Sequence, residues 1–182
     1  MELNADIGEG CDAAALMPYL TRVSIACGGH VGDATSMATA LRLAADHGVA
    51  AGAHPSYPDR SQFGRRALAA SADEIAAWVT QQTEALAEQA ARLDVRLAHV
   101  KPHGALYNVA ARDAGVARAI ACAVAAVDPA LVLVGLAGSR LIAAGQAAGL
   151  AVLNEAFADR RYLPSGRLVS RETAGALIVD PA

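Results

Sequence analysis

Residues 131–155 read LVLVGLAGSRLIAAGQAAGLAVLNE, which predicts a strand, a helix and a second strand in succession. The apolar run Leu131–Leu136 has the length of a buried strand. Ser139 can cap the helix that follows, and Gly149 can end it. A second strand is then expected at Ala151–Glu155. This succession is typical of a βα unit in a parallel sheet.

The same alternation of short apolar runs and longer helical patterns extends along the whole chain. The other four candidate strands are Glu2–Asp6, Arg22–Cys27, Val49–His54 and Val95–Lys101. Helices are expected after Asp33, Ser71 and Asp113, each of which can act as an N-cap. We therefore predict a single α/β domain, residues 1–182, built as a (β/α) barrel or as an open doubly wound sheet.

Composition and charge narrow the class of protein. Of the 182 residues, 54% are apolar and 18% are charged, and the formal net charge is −3. Without a cluster of lysine and arginine, a nucleic-acid partner is not expected. No uncharged run reaches the roughly 18 apolar residues of a spanning helix, and no signal-peptide pattern begins the chain. We expect a cytoplasmic metabolic protein that does not bind membranes.

Phosphate-binding motifs do not occur in the sequence. Where a dinucleotide fold would have a glycine-rich turn after its first strand, this chain has Asp6 and Glu9, which would repel a pyrophosphate. The GxxxxGK[ST] pattern of a P-loop is missing as well. We therefore expect that the chain does not bind ATP by itself.

Polar and ionisable side chains gather where the candidate strands end. They are Asn4, Asp6 and Glu9 at the first strand, His30 after the second, His54 in the third, His99, Lys101 and His103 at the fourth, and Glu155 in the sixth. In parallel α/β folds the carboxyl ends of the strands form one edge, where ligands bind. The sequence therefore predicts a site at this edge.

Several of these residues also have a purely structural interpretation. A lone histidine in a glycine-rich loop is usually only a hydrogen-bonded loop residue, but three histidines at one edge favour a site. His99 lies deeper in its strand, so structural and catalytic roles are both open. Lys101 is either a surface lysine or a group that binds an anion or carries a proton. Asp6 and Glu9 are either turn acids or else metal ligands or general bases.

Six motifs of this chain resemble the LamB/YcsF family. They are Leu3–Glu9 (LNADIGE), Ile25–Asp33 (IACGGHVGD), Gly52–Asp59 (GAHPSYPD), Phe63–Arg66 (FGRR), His99–Asn108 (HVKPHGALYN) and Glu155–Arg160 (EAFADR). The resemblance continues in the same order to Gly175–Ile178 (GALI). A chance match over so many ordered motifs is not expected.

The resemblance implies a fold and a reaction. Family members are similar to TIM-like (β/α)-barrel proteins of the glycoside hydrolase/deacetylase superfamily. Their characterised function is that of the A subunit in an ATP-dependent 5-oxoprolinase, which opens the lactam of 5-oxo-L-proline to L-glutamate and couples this step to ATP hydrolysis. The resemblance thus implies a small lactam substrate and two partners, the B and C subunits. ATP would be bound mainly by these partner subunits.

The resemblance also implies roles for the residues at the strand ends. The catalytic candidates are Asp6, Glu9, His54, Lys101, His103 and Glu155. The substrate-binding candidates are Asn4, His30, Tyr107, Asn108, Asp159 and Arg160. Related barrels often hold a divalent metal with one aspartate and two histidines, which here implies Asp6, His30 and His54. In this hypothesis Asp6 or Glu9 is the general base, and Lys101 binds a carboxylate or phosphate.

The chain departs from the family pattern in a few places. Ala5 stands for a usual cysteine, Gly29 stands for an aromatic residue, and a usual Phe-Gly turn after Glu9 is missing. Family members also continue for several tens of residues beyond the GALI motif. We therefore expect an incomplete or C-terminally truncated barrel, whose open edge would favour a homo-oligomer.

Two alternative functions would use the same strand ends. One is a metal-dependent deacetylase or amidohydrolase that acts without partners. The other is a non-catalytic subunit that only binds a lactam-like ligand. ATP-independent amide hydrolysis with a stoichiometric metal would indicate the first, whereas ligand binding that survives alanine at both Asp6 and His103 would indicate the second.

Overall fold

The alternating apolar runs fold into strands close to the expected positions. The computed structural model describes residues 2–179, and within them six strands form one sheet. They are β1 (Asn4–Ile7), β2 (Arg22–Ala26), β3 (Ala50–His54), β4 (His99–Val100), β5 (Val132–Leu136) and β6 (Val152–Glu155). Each strand pairs in parallel with the next one along the chain. The six predicted strands are confirmed.

Helices connect the strands and cover the outside of the sheet. In the described residues they are α1 (Ala13–Leu16), α2 (Ala34–Asp46), α3 (Ala72–Arg92), α4 (Gly104–Ala110), α5 (Ala114–Val127) and α6 (Arg140–Ala147). Helix α2 packs on α3, α3 on α5, and α5 on α6. No helix within residues 2–179 combines the length and the apolar character needed to span a membrane.

The predicted N-caps begin their helices. The Asp33 side chain accepts a backbone N–H of the first turn of α2 at 2.8 Å. Ser71 and Glu74 form a reciprocal capping box on α3, with the Ser71 N–H donating to Glu74 at 2.8 Å. Asp113 and Ser139 cap α5 and α6. Each cap of this kind contributes about 1 kcal/mol to stability.

The sheet curls until its first and last strands approach each other. Asn4 on β1 and Glu155 on β6 stand at opposite ends of the strand order, yet Asn4 Nδ2 donates to Glu155 Oε1 at 3.5 Å. In a flat sheet, five strand spacings would hold these residues about 24 Å apart. The curled parallel sheet with its outer helices confirms the predicted incomplete, TIM-like (β/α) barrel.

Strand β4 is much shorter than the predicted run Val95–Lys101. Pro102, which lacks an N–H, follows it and interrupts the regular ladder. The amides of Lys101 and His103 nevertheless donate to carbonyls along β3 and its extension, at 2.9 and 2.8 Å. The extended path therefore reaches His103, which begins α4, a helix that was not predicted.

Candidate active site

Three histidines meet at the carboxyl edge of the sheet. His54 is the last residue of β3, His30 lies in the loop after β2, and His103 is the N-cap of α4. All three are buried. The rings of His30 and His103 stack in parallel with 3.7 Å between centroids, and the His54 ring meets both edge-on. The structure thus brings together the three histidines predicted to form a site.

Phe63 and Gly64 cover this histidine cluster with two consecutive left-handed residues, at φ 53° and 61°. A Cβ at Gly64 would lie 2.9 Å from the Cβ of His30, so glycine is required by both conformation and space. The Phe63 carbonyl accepts a hydrogen bond from His103 Nε2 at 2.9 Å. Phe63 was not predicted as a site residue, because a backbone acceptor leaves no signal in the residue type.

Hydrogen bonds to carbonyls determine which ring nitrogens carry protons. His54 Nδ1 lies 2.7 Å from the Lys101 carbonyl, and His103 Nε2 bonds the Phe63 carbonyl. Because a carbonyl oxygen only accepts, both of these nitrogens carry the proton. The opposite nitrogens, His54 Nε2 and His103 Nδ1, lie 3.0 Å apart. If both rings are neutral, these two nitrogens carry lone pairs that face each other.

Two carboxylates approach the same point. Glu9 Oε1 lies 2.8 Å from His30 Nε2 and 3.2 Å from His103 Nδ1. It also lies 3.6 Å from His54 Nε2, which is 3.3 Å from Asp6 Oδ2. One ligand atom from each of Glu9, His54 and His103 therefore falls within 4.8 Å of the others, an arrangement that can hold a metal ion. This group shares only His54 with the metal set implied by the family resemblance.

The charges of Glu9 and His30 are set by their burial and their contacts. Burial would raise the pKa of Glu9, but its contacts with His103 and His30 outweigh this effect and lower the pKa to about 2. Burial dominates at His30 and lowers its pKa to about 4. At neutral pH Glu9 is therefore ionised and His30 is a neutral donor to it.

Lys101, the single lysine of the chain, lies between two carboxylates. Its Nζ is 3.0 Å from Asp6 Oδ1 and 2.7 Å from Glu155 Oε1, and the residue is only 3% exposed. Burial would lower the pKa of Lys101, but Asp6 and Glu155 outweigh it and raise that pKa. Burial likewise opposes ionisation of Asp6, but His54 and Lys101 hold its pKa well below the ordinary value. The interpretation of Lys101 as a surface residue is wrong.

Glu155 extends this network to Tyr107 and Asn4. Tyr107 Oη donates to Glu155 Oε2 at 3.0 Å, while Asn4 contacts the other oxygen. Burial and the nearby Glu155 charge raise the pKa of Tyr107 far above its ordinary range, so the hydroxyl stays protonated. The Phe157 ring packs edge-on against Tyr107 at 5.9 Å and lies 5.4 Å from Lys101 Nζ.

A cavity of about 430 Å³ opens beside the Lys101 network. Its wall includes Asn4, Asp6, Lys101, Glu155, Phe157, Asp159 and Arg171. Asp6 belongs both to this wall and, through His54, to the histidine cluster. The cavity and the cluster are therefore two parts of one site.

His99 lies inside the barrel, below the site. It is fully buried, and its Nε2 is 3.3 Å from Ser24 Oγ. Its ring lies against Gly52, where an added Cβ would come within 2.5 Å of the ring. Burial lowers the pKa of His99 to about 3, so the ring is neutral. Of the two roles left open, the structure favours the structural one.

Two predicted substrate-binding residues, Asn108 and Arg160, do not line the cavity. Asn108 is exposed on α4, where its amide donates to the Gly104 carbonyl at 2.9 Å. Arg160 is buried and donates to the Val169 carbonyl at 2.6 Å, which anchors the segment after β6. Neither residue lines the cavity, whereas Asp159 does.

Gln82 is a buried polar residue that supports the site. Its side chain accepts from the Ser56 N–H at 2.9 Å and donates to the Ser56 carbonyl at 2.8 Å, which fixes the loop after His54. An added Cβ at Gly29 would collide with Gln82 and Ser56. The glycine that departs from the family pattern thus makes room for Gln82. The sequence contained one signal for this role, because Gln82 is a polar residue on the otherwise apolar face of α3.

Known proteins are similar to this chain over its whole length. A sequence model of the LamB/YcsF family matches residues 1–182. A protein of Chloroflexus aurantiacus, named as the A subunit of 5-oxoprolinase, is 53% identical over 188 residues, which cover 100% of this chain and 74% of the relative. A protein of Methylococcus capsulatus with the same name is 54% identical over 189 residues, which cover 100% and 72%.

A solved structure has the same fold. The crystal structure of a lactam utilization protein from Thermus thermophilus matches with a TM-score of 0.92 and 45% identity, covering 99% of this chain and 75% of that one. The resemblance seen in the sequence motifs is confirmed. On the whole-length family match and the identity to these relatives, the chain belongs to the LamB/YcsF family.

Proposed function

We propose that the chain is the A subunit in a cytoplasmic, ATP-dependent 5-oxoprolinase, which opens the lactam of 5-oxo-L-proline to give L-glutamate. The observation that carries this proposal is the position of Lys101, paired with Asp6 and Glu155 on the wall of a cavity that adjoins the histidine cluster. A cavity of about 430 Å³ lies in the range of small-molecule sites. The names of the relatives support the same function.

Lys101 is suited to stabilise negative charge on the substrate. A lactam carbonyl is a poor electrophile, so its cleavage needs a group that stabilises charge developing on the oxygen or on a phosphate attached to it. Asp6 and Glu155 raise the pKa of Lys101, which keeps its ammonium charged at neutral pH. Lys101 therefore acts in this proposal as an electrostatic group and not as a general base.

The histidines are better placed than the carboxylates to move a proton. Asp6 and Glu9 have lowered pKa values, which makes them weak proton acceptors. They serve instead as charged partners of the histidines and, for Asp6, of Lys101. His54 and His103 face each other through ring nitrogens 3.0 Å apart. In our proposal this pair takes a proton from water and delivers one to the lactam nitrogen, which becomes the amine of glutamate.

The ATP-dependent step belongs to the partner subunits in this proposal. The chain has no P-loop or dinucleotide fingerprint. The B and C subunits would transfer the γ-phosphate of ATP to the lactam oxygen and release ADP. This chain would then add one water to the activated carbon and break its C–N bond, which gives γ-glutamyl phosphate, and a second water would hydrolyse this acyl phosphate to glutamate and inorganic phosphate.

A second candidate function is a metal-dependent amidohydrolase that acts without partners. The convergence of Glu9, His54 and His103 on one point favours it. A divalent metal bound there would polarise an amide oxygen. Such an enzyme would need no ATP.

The two candidates differ in one experiment. The purified chain is assayed for 5-oxoproline-dependent ADP and glutamate formation, alone and mixed with candidate B and C subunits. The proposed function predicts glutamate only in the complete mixture with ATP. Glutamate formation by the chain alone without ATP would establish the second candidate, and no glutamate in any mixture would contradict both.

A further inference from the structure

We infer that Glu9, His54 and His103 bind one divalent transition-metal ion. The atoms that face the ion are Glu9 Oε1, His54 Nε2 and His103 Nδ1. The two histidines are buried and Glu9 is mostly buried, so solvent has little access to this point.

Counting donors and acceptors shows that these three atoms need a positive centre. His54 and His103 each give their proton to a backbone carbonyl, so neutral rings have none left for each other. Glu9 receives one N–H, from His30 Nε2. Two nitrogen lone pairs 3.0 Å apart, beside two carboxylates, are repulsive unless a cation lies among them.

The distances between the three atoms fit a metal ion. Ligand atoms bound at about 2.0–2.1 Å in tetrahedral geometry lie about 3.3–3.4 Å from one another. The observed separations are 3.0 Å between the two histidine nitrogens, and 3.2 and 3.6 Å from these nitrogens to Glu9. These values lie on both sides of the expected separation.

The surrounding hydrogen bonds are also those of a metal site. A histidine that binds a metal usually donates its other N–H to a carbonyl or carboxylate, and both His54 and His103 do so here. His30 donates to the ligand Glu9 and thus orients it. Imidazole and carboxylate ligands together select an ion such as Zn²⁺ or Co²⁺ over Mg²⁺ or Ca²⁺.

Metal binding rests on the proposed function and alters one step of it. An ion at this site would occupy the lone pairs of His54 and His103, so it would activate the attacking water in place of proton transfer by these two rings. Binding is measurable on the chain alone. The chelator-treated chain is titrated with Zn²⁺ by calorimetry and with Co²⁺ by visible absorption, which reports coordination directly. We expect one ion per chain and a Zn²⁺-dependent rise in Tm. These readouts do not depend on glutamate formation. Failure of the metal inference can therefore be distinguished from failure of the proposed 5-oxoprolinase function.

Four variants test the ligand set. Glu9→Gln and His103→Gln should weaken Zn²⁺ binding on the order of 100-fold or more and change the Co²⁺ spectrum. His30→Gln should weaken it only about tenfold, as expected for a residue that orients a ligand. His47→Gln, at an exposed histidine at the end of α2, is the matched control and should bind as the parent does.

Three results would overturn the inference. The first is a folded chain, shown by circular dichroism, that binds neither Zn²⁺ nor Co²⁺ at one ion per chain, because a shared proton would then satisfy the lone pairs. The second is loss of binding in His30→Gln together with retention in His103→Gln, which would assign the ion to Asp6, His30 and His54. The third is a loss of Zn²⁺ binding in the His47→Gln control that is as large as the loss in Glu9→Gln and His103→Gln.

Discussion

Lys101 Nζ lies 2.7 Å from Glu155 Oε1, although the two residues are 54 positions apart and belong to separate segments, one just after β4 and the other at the end of β6. Asp6 on β1 pairs with the same ammonium at 3.0 Å. One cation therefore neutralises carboxylates from both edge strands of the sheet. This ion triad joins the two sides of the curled sheet and also forms part of the cavity wall.

Replacing Lys101 by methionine should destabilise the fold as well as the site. The change leaves the partly buried carboxylates of Asp6 and Glu155 close together without a cation, a loss worth about 3 kcal/mol. Glu155→Gln in the same chain removes one of these charges and should recover part of the loss. Urea unfolding of both single variants and the double variant measures the coupling. Additive effects of the two changes would show that the pair does not interact.

The same variant tests the proposed reaction. In the assembled complex, Lys101→Met should lower glutamate formation by on the order of 10²-fold or more, the effect of losing an electrostatic or acid–base group. Arg96→Met, in the loop after α3, removes an exposed positive charge away from the site and serves as control. Turnover of Lys101→Met within about threefold of the parent, in a chain shown to be folded, would remove Lys101 from the mechanism.

Because the chain contains one lysine, its burial is directly measurable. Reductive methylation modifies unprotonated, accessible amines, and Lys101 is buried with a raised pKa. The native chain should therefore remain unmodified at Lys101, whereas the chain in urea should be modified there as well as at its N-terminal amine. Peptide mass spectrometry distinguishes the two positions. Equal modification of Lys101 in both states would mean that the ion triad is open in solution.

Local sequence patterns were sufficient to predict the strands and most helices. Apolar runs and capping residues act over a few neighbours, which is why Ser71 and Asp113 are found where expected. Helix α4 was missed, because Gly104 and the preceding Pro102 are signals of a turn when considered alone. The contact of this segment with the loop at Gly64 supplies the long-range hydrogen bond, from the Ala105 N–H, that the local pattern does not contain.

The site could be predicted in position but not in detail. Polar residues at strand ends meet because parallel strands share one carboxyl edge, and this explains why His54 and Lys101 lie close together. Which atoms face each other depends on loop conformations, such as the left-handed Phe63 that orients His103. Arg160 bonds a backbone carbonyl instead of lining the cavity, an outcome that residue type alone does not determine.

His99 makes stability depend on pH. Burial lowers its pKa from 6.5 to about 3 in the folded chain, so between these values the unfolded chain binds more protons. The contribution of His99 to the free energy of unfolding should therefore be highest above pH 6.5 and should fall as pH decreases through this window. Urea midpoints measured at about pH 7 and about pH 5 test this prediction. Both pH values lie above the pKa values of most carboxyl groups, which therefore contribute little to the difference. His99→Gln, which keeps a polar partner for Ser24, should reduce the pH dependence, and an unchanged dependence would assign it to other groups.

Gly29 and Gln82 should be energetically coupled. A Cβ at position 29 collides with the Gln82 side chain, which holds both backbone groups of Ser56, and also lies 2.5 Å from Ser56 Oγ. Gly29→Ala should therefore lower the free energy of unfolding, because Gln82 must move and leave Ser56 groups unpaired, at a cost of about 1–3 kcal/mol. Gln82→Ala alone should cost a similar amount, but it also makes space beside Gly29. Adding Gly29→Ala to Gln82→Ala should then cost less than it does in the parent, and the contact with Ser56 Oγ accounts for the cost that remains. A double-mutant cycle by urea unfolding measures this difference, and the Gln82→Ala background is its own control for the backbone effect of alanine at position 29. A Gly29→Ala cost that is the same with and without Gln82 would contradict the coupling and would assign the cost to the Ser56 contact.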